Sequence, residues 1–285
     1  MSGIRLAVQK SGRLSEKSLE LLSECGINFS LNKSKLTAVS RNFPVEILFL
    51  RDDDIPGYVA NGVATCGIVG ENVVQEKSPQ LEVISKMGFG KCRLSLAVPA
   101  SFKYNSVQDL NGKKIATSYP EILSRYLDTK DVAAEIQDIS GSVEIAPAIG
   151  LADAICDLVS SGGTLLANRL KEVEKVLDSE AVLVKSPNLG EEESRILDEL
   201  VFRISTVNNS QGCKYIVLNS PNESLQTISD ILPGIKSPTV VELAEEGWSA
   251  VHAVVNEELF WDVLSKLKEA GAEGITVLPI EKIIV

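Results

Sequence analysis

Alternating strand-like and helix-like segments along most of this 285-residue chain predict an α/β protein. Two further observations divide it. Apolar stretches at 88–99 and 180–185 read as crossings between two lobes, the second returning the chain to the first. The last quarter runs in the order β-α-β-β-α-β, that of a ferredoxin-like unit. The expected division is one lobe from 1–92 and 180–210, a second from 93–179, and a terminal unit from 211–285.

The bulk composition narrows the function. Hydrophobic residues at 44% and charged residues at 24% are ordinary for a folded protein, and aromatics at 5% leave the core to Leu, Ile, Val and Ala. A net charge of −11 argues against nucleic acid as a general partner, so any anionic ligand needs a local cluster of cations. No stretch approaches the roughly twenty apolar residues of a membrane span. The start, M-S-G-I-R-L-A-V, enters a strand pattern without a cleavable signal. Five scattered cysteines (Cys25, Cys66, Cys92, Cys156, Cys213) lack metal spacing and suit a reducing compartment. A cytoplasmic location is expected.

Residues 4–8 read as a first strand, followed by Q-K-S-G-R. Ser15 is suited to cap the next helix, whose stripe of Leu19, Leu22 and Cys25 ends at Gly26. Lys10 and Arg13 thus fall in the turn after a buried strand, where ligands of α/β sheets bind. Residues 45–50 form a second strand ending in R-D-D-D-I-P-G. Pro56 marks a helix start, which makes Asp52, Asp53 and Asp54 its solvated first turn, with metal binding the lesser reading. Arg51, at the strand's end, can join Lys10 near an anion. A third strand occupies 64–70, and Arg93 sits beside the first lobe crossing. Then come a strand at 114–117, a helix from Pro120, a strand at 134–139 and a helix at 143–149. Tyr119, in a turn after a strand, either packs or stacks on a base.

The stretch 151–164, L-A-D-A-I-C-D-L-V-S-S-G-G-T, carries the strongest chemical signal. An apolar strand turns abruptly into Ser160, Ser161, Gly162, Gly163 and Thr164, and a helix-compatible run, 165–170, follows. Unpaired amides at a helix start, glycines that admit close approach and three hydroxyls make a cradle for a phosphate group. Asp157, just upstream, is placed to accept hydrogen bonds from the hydroxyls of an attached sugar. A Gly-rich turn without a ligand is the alternative, and the pattern is neither a Walker loop nor a dinucleotide fingerprint.

Residues 180–185 form the returning strand and 191–207 a helix, whose polar exit, 208–212, reads as a linker. The terminal unit expects strands at 214–218, 239–243, 250–255 and 274–278, with helices at 223–231 and 257–270. The chain's single histidine, His252, falls on one of these strands without an acid or cysteine partner pattern and reads as structural.

Taken together, A-V-Q-K-S-G-R-L-S, L-R-D-D-D-I-P-G, C-G-I-V-G-E-N-V, G-F-G-K-C-R-L-S-L-A, N-G-K-K-I-A-T-S-Y-P, G-S-V-E-I-A-P, G-L-A-D-A-I-C-D-L-V-S-S-G-G-T-L and V-L-P-I-E-K resemble the long form of ATP phosphoribosyltransferase. The segments run in order over nearly the whole chain. The resemblance implies a bilobal catalytic part similar to type II periplasmic binding proteins, with a C-terminal ferredoxin-like regulatory domain. It implies transfer of phosphoribose from phosphoribosyl pyrophosphate to N1 of the adenine of ATP, with release of pyrophosphate and a need for Mg²⁺, as the first step of histidine biosynthesis. It also implies dimers and hexamers, and inhibition by free histidine.

By the same resemblance, Ser160, Ser161, Gly162, Gly163 and Thr164 hold the 5-phosphate, and Asp157 and Glu144 reach the ribose. Lys10 and Arg51 meet the pyrophosphate, while Arg13, Arg93 and Tyr119 lie toward ATP. The histidine positions fall on Asn219, Thr239, Val254 and Gly274, and no residue is assigned as a protein metal ligand. Some relatives carry a lysine where this chain reads D-D-D, and an aspartate where it has Asn219. Both departures bear on the strength of the contacts. A solute-binding protein shares the bilobal shape but predicts a secretion signal and no phosphate loop. A different phosphoribosyltransferase and a purely regulatory protein are the other rivals.

Overall fold

The computed structural model describes residues 3–30, 36–232 and 234–284, so Met1 and Ser2 of the expected leader-free start lie outside the described residues. The chain divides into two compact units, 1–201 and 202–285.

In the first unit, β1 (Ile4–Gln9) is followed by α1 (Arg13–Glu24), β2 (Thr37–Val39), β3 (Val45–Leu50), α2 (Ile55–Ala60), β4 (Cys66–Gly70), α3 (Glu71–Lys77) and β5 (Glu82–Lys86). The chain then crosses into a second sheet with β6 (Cys92–Pro99), β7 (Lys114–Thr117), α4 (Pro120–Thr129), β8 (Glu135–Asp138), β9 (Ala154–Val159), α5 (Gly163–Ala167) and β10 (Leu170–Ser179). It returns through β11 (Ala181–Lys185) and continues into α6 (Glu191–Asn208). The first sheet has the order β2-β3-β1-β4-β11-β5, the second β10-β6-β9-β7-β8. This is a two-lobed arrangement, in which each sheet takes in a strand supplied after a crossing.

The sheets are mixed, whereas alternation of strands and helices predicts parallel ones. β1 runs parallel to β3 and β4, and β7 to β8 and β9, but β6 and β11 lie antiparallel to their neighbours. The reason is the pair of crossings. The outgoing segment β5–β6 and the returning segment β10–β11 run in opposite directions and pair with each other in both sheets, β11 on β5 and β10 on β6, so each sheet receives strands of both senses.

Several elements depart from their sequence reading. Helix α1 starts at Arg13 because Gly12 takes φ +96°, so Ser15 is an internal, buried residue and not a cap. The helix expected at 143–149 is a single 3-10 turn, Val143–Ile145, cut short before Pro147 and Gly150. The helix-compatible run after the cradle closes at Ala167, and Leu170 instead opens β10. That edge strand escaped the sequence because its charged residues and two register shifts break strict alternation.

Close packing beneath the first lobe positions the turn after β3. Gly67 on β4 lies so near α2 that a Cβ there would fall 2.6 Å from Ile55 Cγ2 and 3.1 Å from Val59 Cγ2.

In the second unit, β12 (Cys213–Pro221), α7 (Leu225–Ile231), β13 (Thr239–Glu242), β14 (Trp248–Asn256), α8 (Glu257–Glu269) and β15 (Glu273–Pro279) form the ferredoxin-like order. Its antiparallel sheet runs β13-β14-β12-β15. Ile216, Leu218, Val251 and Ala253 pack on Ile228, Leu232 and Leu267 of the two helices, leaving the alternate residues on the opposite face.

Gly67→Ala is expected to push α2 off the sheet and to destabilise the protein by about 1–3 kcal/mol, the usual range for overpacking. The midpoint of urea unfolding measures it.

Candidate functional site

Both sheets of the first unit end their parallel strands toward one region, and the functional side chains gather at those carboxyl ends. The N–H of Lys10 donates to Leu50 O at 2.7 Å, and Gln9 pairs with Leu50 in register. Lys10 and Arg51 therefore leave neighbouring parallel strands side by side, both exposed.

In the second lobe, Asp157 leaves β9 partly exposed and Val159 is buried, after which the chain turns at Ser160. Gly162 takes φ +79°, a conformation that a β-carbon would strain, and delivers the first turn of α5. A small cavity of about 160 Å³ is lined by Glu144, Asp157, Ser160, Ser161, Gly162, Gly163 and Thr164 among others. Gly163 faces open space, with only Ser161 Oγ within 4 Å of a hypothetical Cβ, at 3.8 Å. All seven phosphoribose residues read from the sequence are thus in one place, with bare backbone facing the hollow.

A second cavity, of about 470 Å³, shares Leu158 with the first and is lined by Gln9, Arg13, Lys17, Asp52, Asn72 and Tyr119 among others. Arg13 and Tyr119 come together here from different lobes. The larger hollow of about 600 Å³ near Gly3, Arg41 and Pro44 lies at the opposite, amino ends of β1 and β3, away from this chemistry.

Arg93 has a different setting from its neighbours in the sequence reading. Its guanidinium forms a two-pronged ion pair with Glu172, whose Oε1 also accepts from Ser95 Oγ at 2.8 Å. Arg93 Nη1 donates to the carbonyl of Ser160 at 3.3 Å. It braces the glycine turn from behind. The paired guanidinium holds the Glu172 carboxyl below the usual range, and Glu172 in turn raises Arg93.

Burial pushes the Asp157 carboxyl above the usual carboxylate range. A hydrogen bond from the Leu158 N–H to Oδ1, at 2.8 Å, works against that rise, and the Glu144 charge adds to it. Burial also raises the Tyr119 phenol, with the Asp157 charge the next cause. Sequence reasoning passed over Asn72 and Ser179, which meet Tyr119 only through the fold: Asn72 Nδ2 donates to the phenol oxygen at 3.0 Å.

In the second unit, the four positions expected for histidine share the sheet face that the helices leave open. Asn219 and Gly274 are adjacent, since a Cβ on Gly274 would lie 3.2 Å from Asn219 Nδ2. Thr239 is opposite His252, and Val254 opposite Tyr215. His252 Nδ1 is 3.1 Å from the Tyr215 hydroxyl, a local structural contact. No group of three or more metal-ligating side chains assembles among the described residues. The five cysteines are all thiols. No helix among the described residues is long and apolar enough to cross a membrane.

Open backbone and hydroxyls beside a desolvated carboxylate, on a two-lobed fold, make a site whose chemistry suits a sugar phosphate. Comparison with known proteins fixes the family. A family model described as ATP phosphoribosyltransferase matches residues 51–206, and one described as the HisG C-terminal domain matches 210–282. The ATP phosphoribosyltransferase of Cytophaga hutchinsonii is 60% identical over 281 residues, covering 99% of this chain and 98% of the relative. That of Bacteroides thetaiotaomicron is 54% identical over 282 residues, covering 99% and 100%. A solved ATP phosphoribosyl transferase (HisG:HisZ) complex from Thermotoga maritima superposes with a TM-score of 0.61 at 29% identity, covering 71% of this chain and 98% of that one. The chain belongs to the ATP phosphoribosyltransferase family and is a glycosyltransferase-type enzyme of histidine biosynthesis.

Asp157→Asn yields a pH test of the buried carboxyl. The folded state holds this proton more tightly than the unfolded chain, so its contribution to stability is complete below the ordinary aspartate range and is lost as pH rises through the folded-state value. The variant is therefore expected to be the more stable protein at neutral pH, with the gap closing below about pH 4. Urea midpoints measured across that range check it.

Proposed function

We propose that the cradle around Gly162 seats the 5-phosphate of phosphoribosyl pyrophosphate, with Asp157 and Glu144 at its ribose. The observation that carries this reading is the shared cavity. Two carboxylates and a run of open amides face one hollow of the right size for a sugar phosphate. Lys10 and Arg51, at the ends of adjacent strands, are placed to neutralise the departing pyrophosphate. Arg13 and Tyr119 line the adjoining cavity, which suits ATP. Arg93, expected toward ATP, also supports the phosphate turn through Ser160 O.

Displacement at the anomeric carbon builds positive charge on the ribose and negative charge on the leaving group. Asp157 lies beside the first, and the paired cations beside the second. Stabilisation of this kind, with both substrates held in line, requires no covalent nucleophile. The hard oxygens of Asp157 and Glu144 suit a Mg²⁺ ion held largely by substrate phosphates and water, and such an ion would neutralise pyrophosphate charge. The open sheet face of the second unit is the place for free histidine as inhibitor, with dimers and hexamers as the assemblies and the cytoplasm as the location.

Gly163→Val is expected to leave the fold intact and to abolish binding of phosphoribosyl pyrophosphate in a calorimetric titration, because the new side chain enters the hollow. Retained affinity would empty the cradle of its role. At the second unit, Asn219→Ala is expected to raise the histidine concentration for half-inhibition by about tenfold, the worth of one or two hydrogen bonds, with turnover unchanged. Unaltered inhibition would move the effector elsewhere.

A further inference from the structure

The seam between the two lobes is closed by α3. It presents Asn72 and Glu76, four residues apart and therefore on one helix face, to the second lobe. The Glu76 carboxylate accepts the N–H groups of Glu121 at 3.0 Å and Ile122 at 2.9 Å. It thereby caps α4, which has no side-chain cap of its own. Arg125 Nη2 donates to Gln75 O at 2.7 Å. Tyr119, the residue before α4, donates its N–H to Thr117 Oγ1 at 2.9 Å. Its backbone is thus fixed on both sides.

The hydrogen bonds across this seam have a direction. Ser179 Oγ accepts the backbone N–H of Asn72 at 3.0 Å and gives its proton to Asn72 Oδ1 at 2.9 Å. That occupies the carboxamide oxygen, so the NH₂ end is the one facing Tyr119, and the phenol oxygen accepts from it at 3.0 Å. Asn72 is 4% exposed and Ser179 5%, so water does not compete for these bonds. The phenol keeps a proton of its own, and no side chain or carbonyl among the described residues takes it. The ring borders the cavity that also holds Arg13 and Lys17.

We infer that Asn72 and Ser179 are positioning residues that orient Tyr119 as a hydrogen-bond donor to an acceptor atom of ATP. This rests on the reading of the larger cavity as the ATP side. Neither residue touches the reacting atoms. They act by fixing which end of a carboxamide the phenol meets. Remove the Ser179 hydroxyl and the carboxamide can turn its oxygen to the phenol, which then donates inward and is lost to the substrate.

The test is a double-mutant cycle on steady-state kinetics of the full chain. Ser179→Ala removes one hydroxyl and leaves Tyr119 and Asn72 in place. It is expected to raise KM for ATP about three- to tenfold, the effect of one neutral hydrogen bond, and to leave KM for phosphoribosyl pyrophosphate within about twofold. Asn72→Leu is expected to do the same. In a Tyr119→Phe background both substitutions should change KM for ATP by less than about twofold. Equal effects with and without the phenol hydroxyl would overturn the inference while leaving Tyr119 an ATP contact. A Tyr119→Phe enzyme with unaltered KM for ATP would instead remove the ATP reading of that cavity, and this inference with it.

Discussion

The site depends on the return of β11 into the first sheet. Inserted antiparallel between β4 and β5, it is buried along Ala181, Val182, Leu183 and Val184. Together with β6 it ties the two sheets by a pair of short links, so the lobes cannot separate without exposing an apolar strand in each. Burying four such side chains contributes several kcal/mol at about 25 cal/mol per Å². The carboxyl ends of both sheets are thereby held toward a common hollow, and residues over a hundred positions apart, such as Asn72 and Ser179, become neighbours.

Electrostatics within that hollow run against the whole-molecule charge. A net charge of −11 would repel polyphosphates, yet Arg13 and Lys17 line the larger cavity beside Glu16 and Asp52, and Lys10 and Arg51 stand exposed at the ends of β1 and β3. The second lobe offers neutral donors and two carboxylates. The proposed site sets positive charge toward phosphate and negative charge toward the ribose. Burial raises the Asp157 carboxyl, so this group weakens the fold when ionised.

Arg93 illustrates how a partner distant in sequence sets a residue's surroundings. Beside a lobe crossing it reads as a cleft cation. Glu172 on β10, the strand paired with its own, offers a fork-shaped partner, and the guanidinium settles there with another donor on Ser160 O. The strand that carries Glu172 was itself illegible, because an edge strand shifted in register twice has no clean period of two.

The sequence by itself made legible the α/β class, most of the strands and helices, the β-α-β-β-α-β order of the terminal unit and the glycine turn before α5. Each of these rests on local chemistry: apolar runs, Gly and Pro at chain reversals, and hydroxyl residues before a helix. Tertiary structure alone decided strand direction, the shared cavity of Glu144 with the turn, and the polarity of the Ser179–Asn72–Tyr119 chain. Those depend on which distant segments a short link brings side by side, and on which end of a carboxamide a buried hydroxyl claims. A linear pattern contains neither.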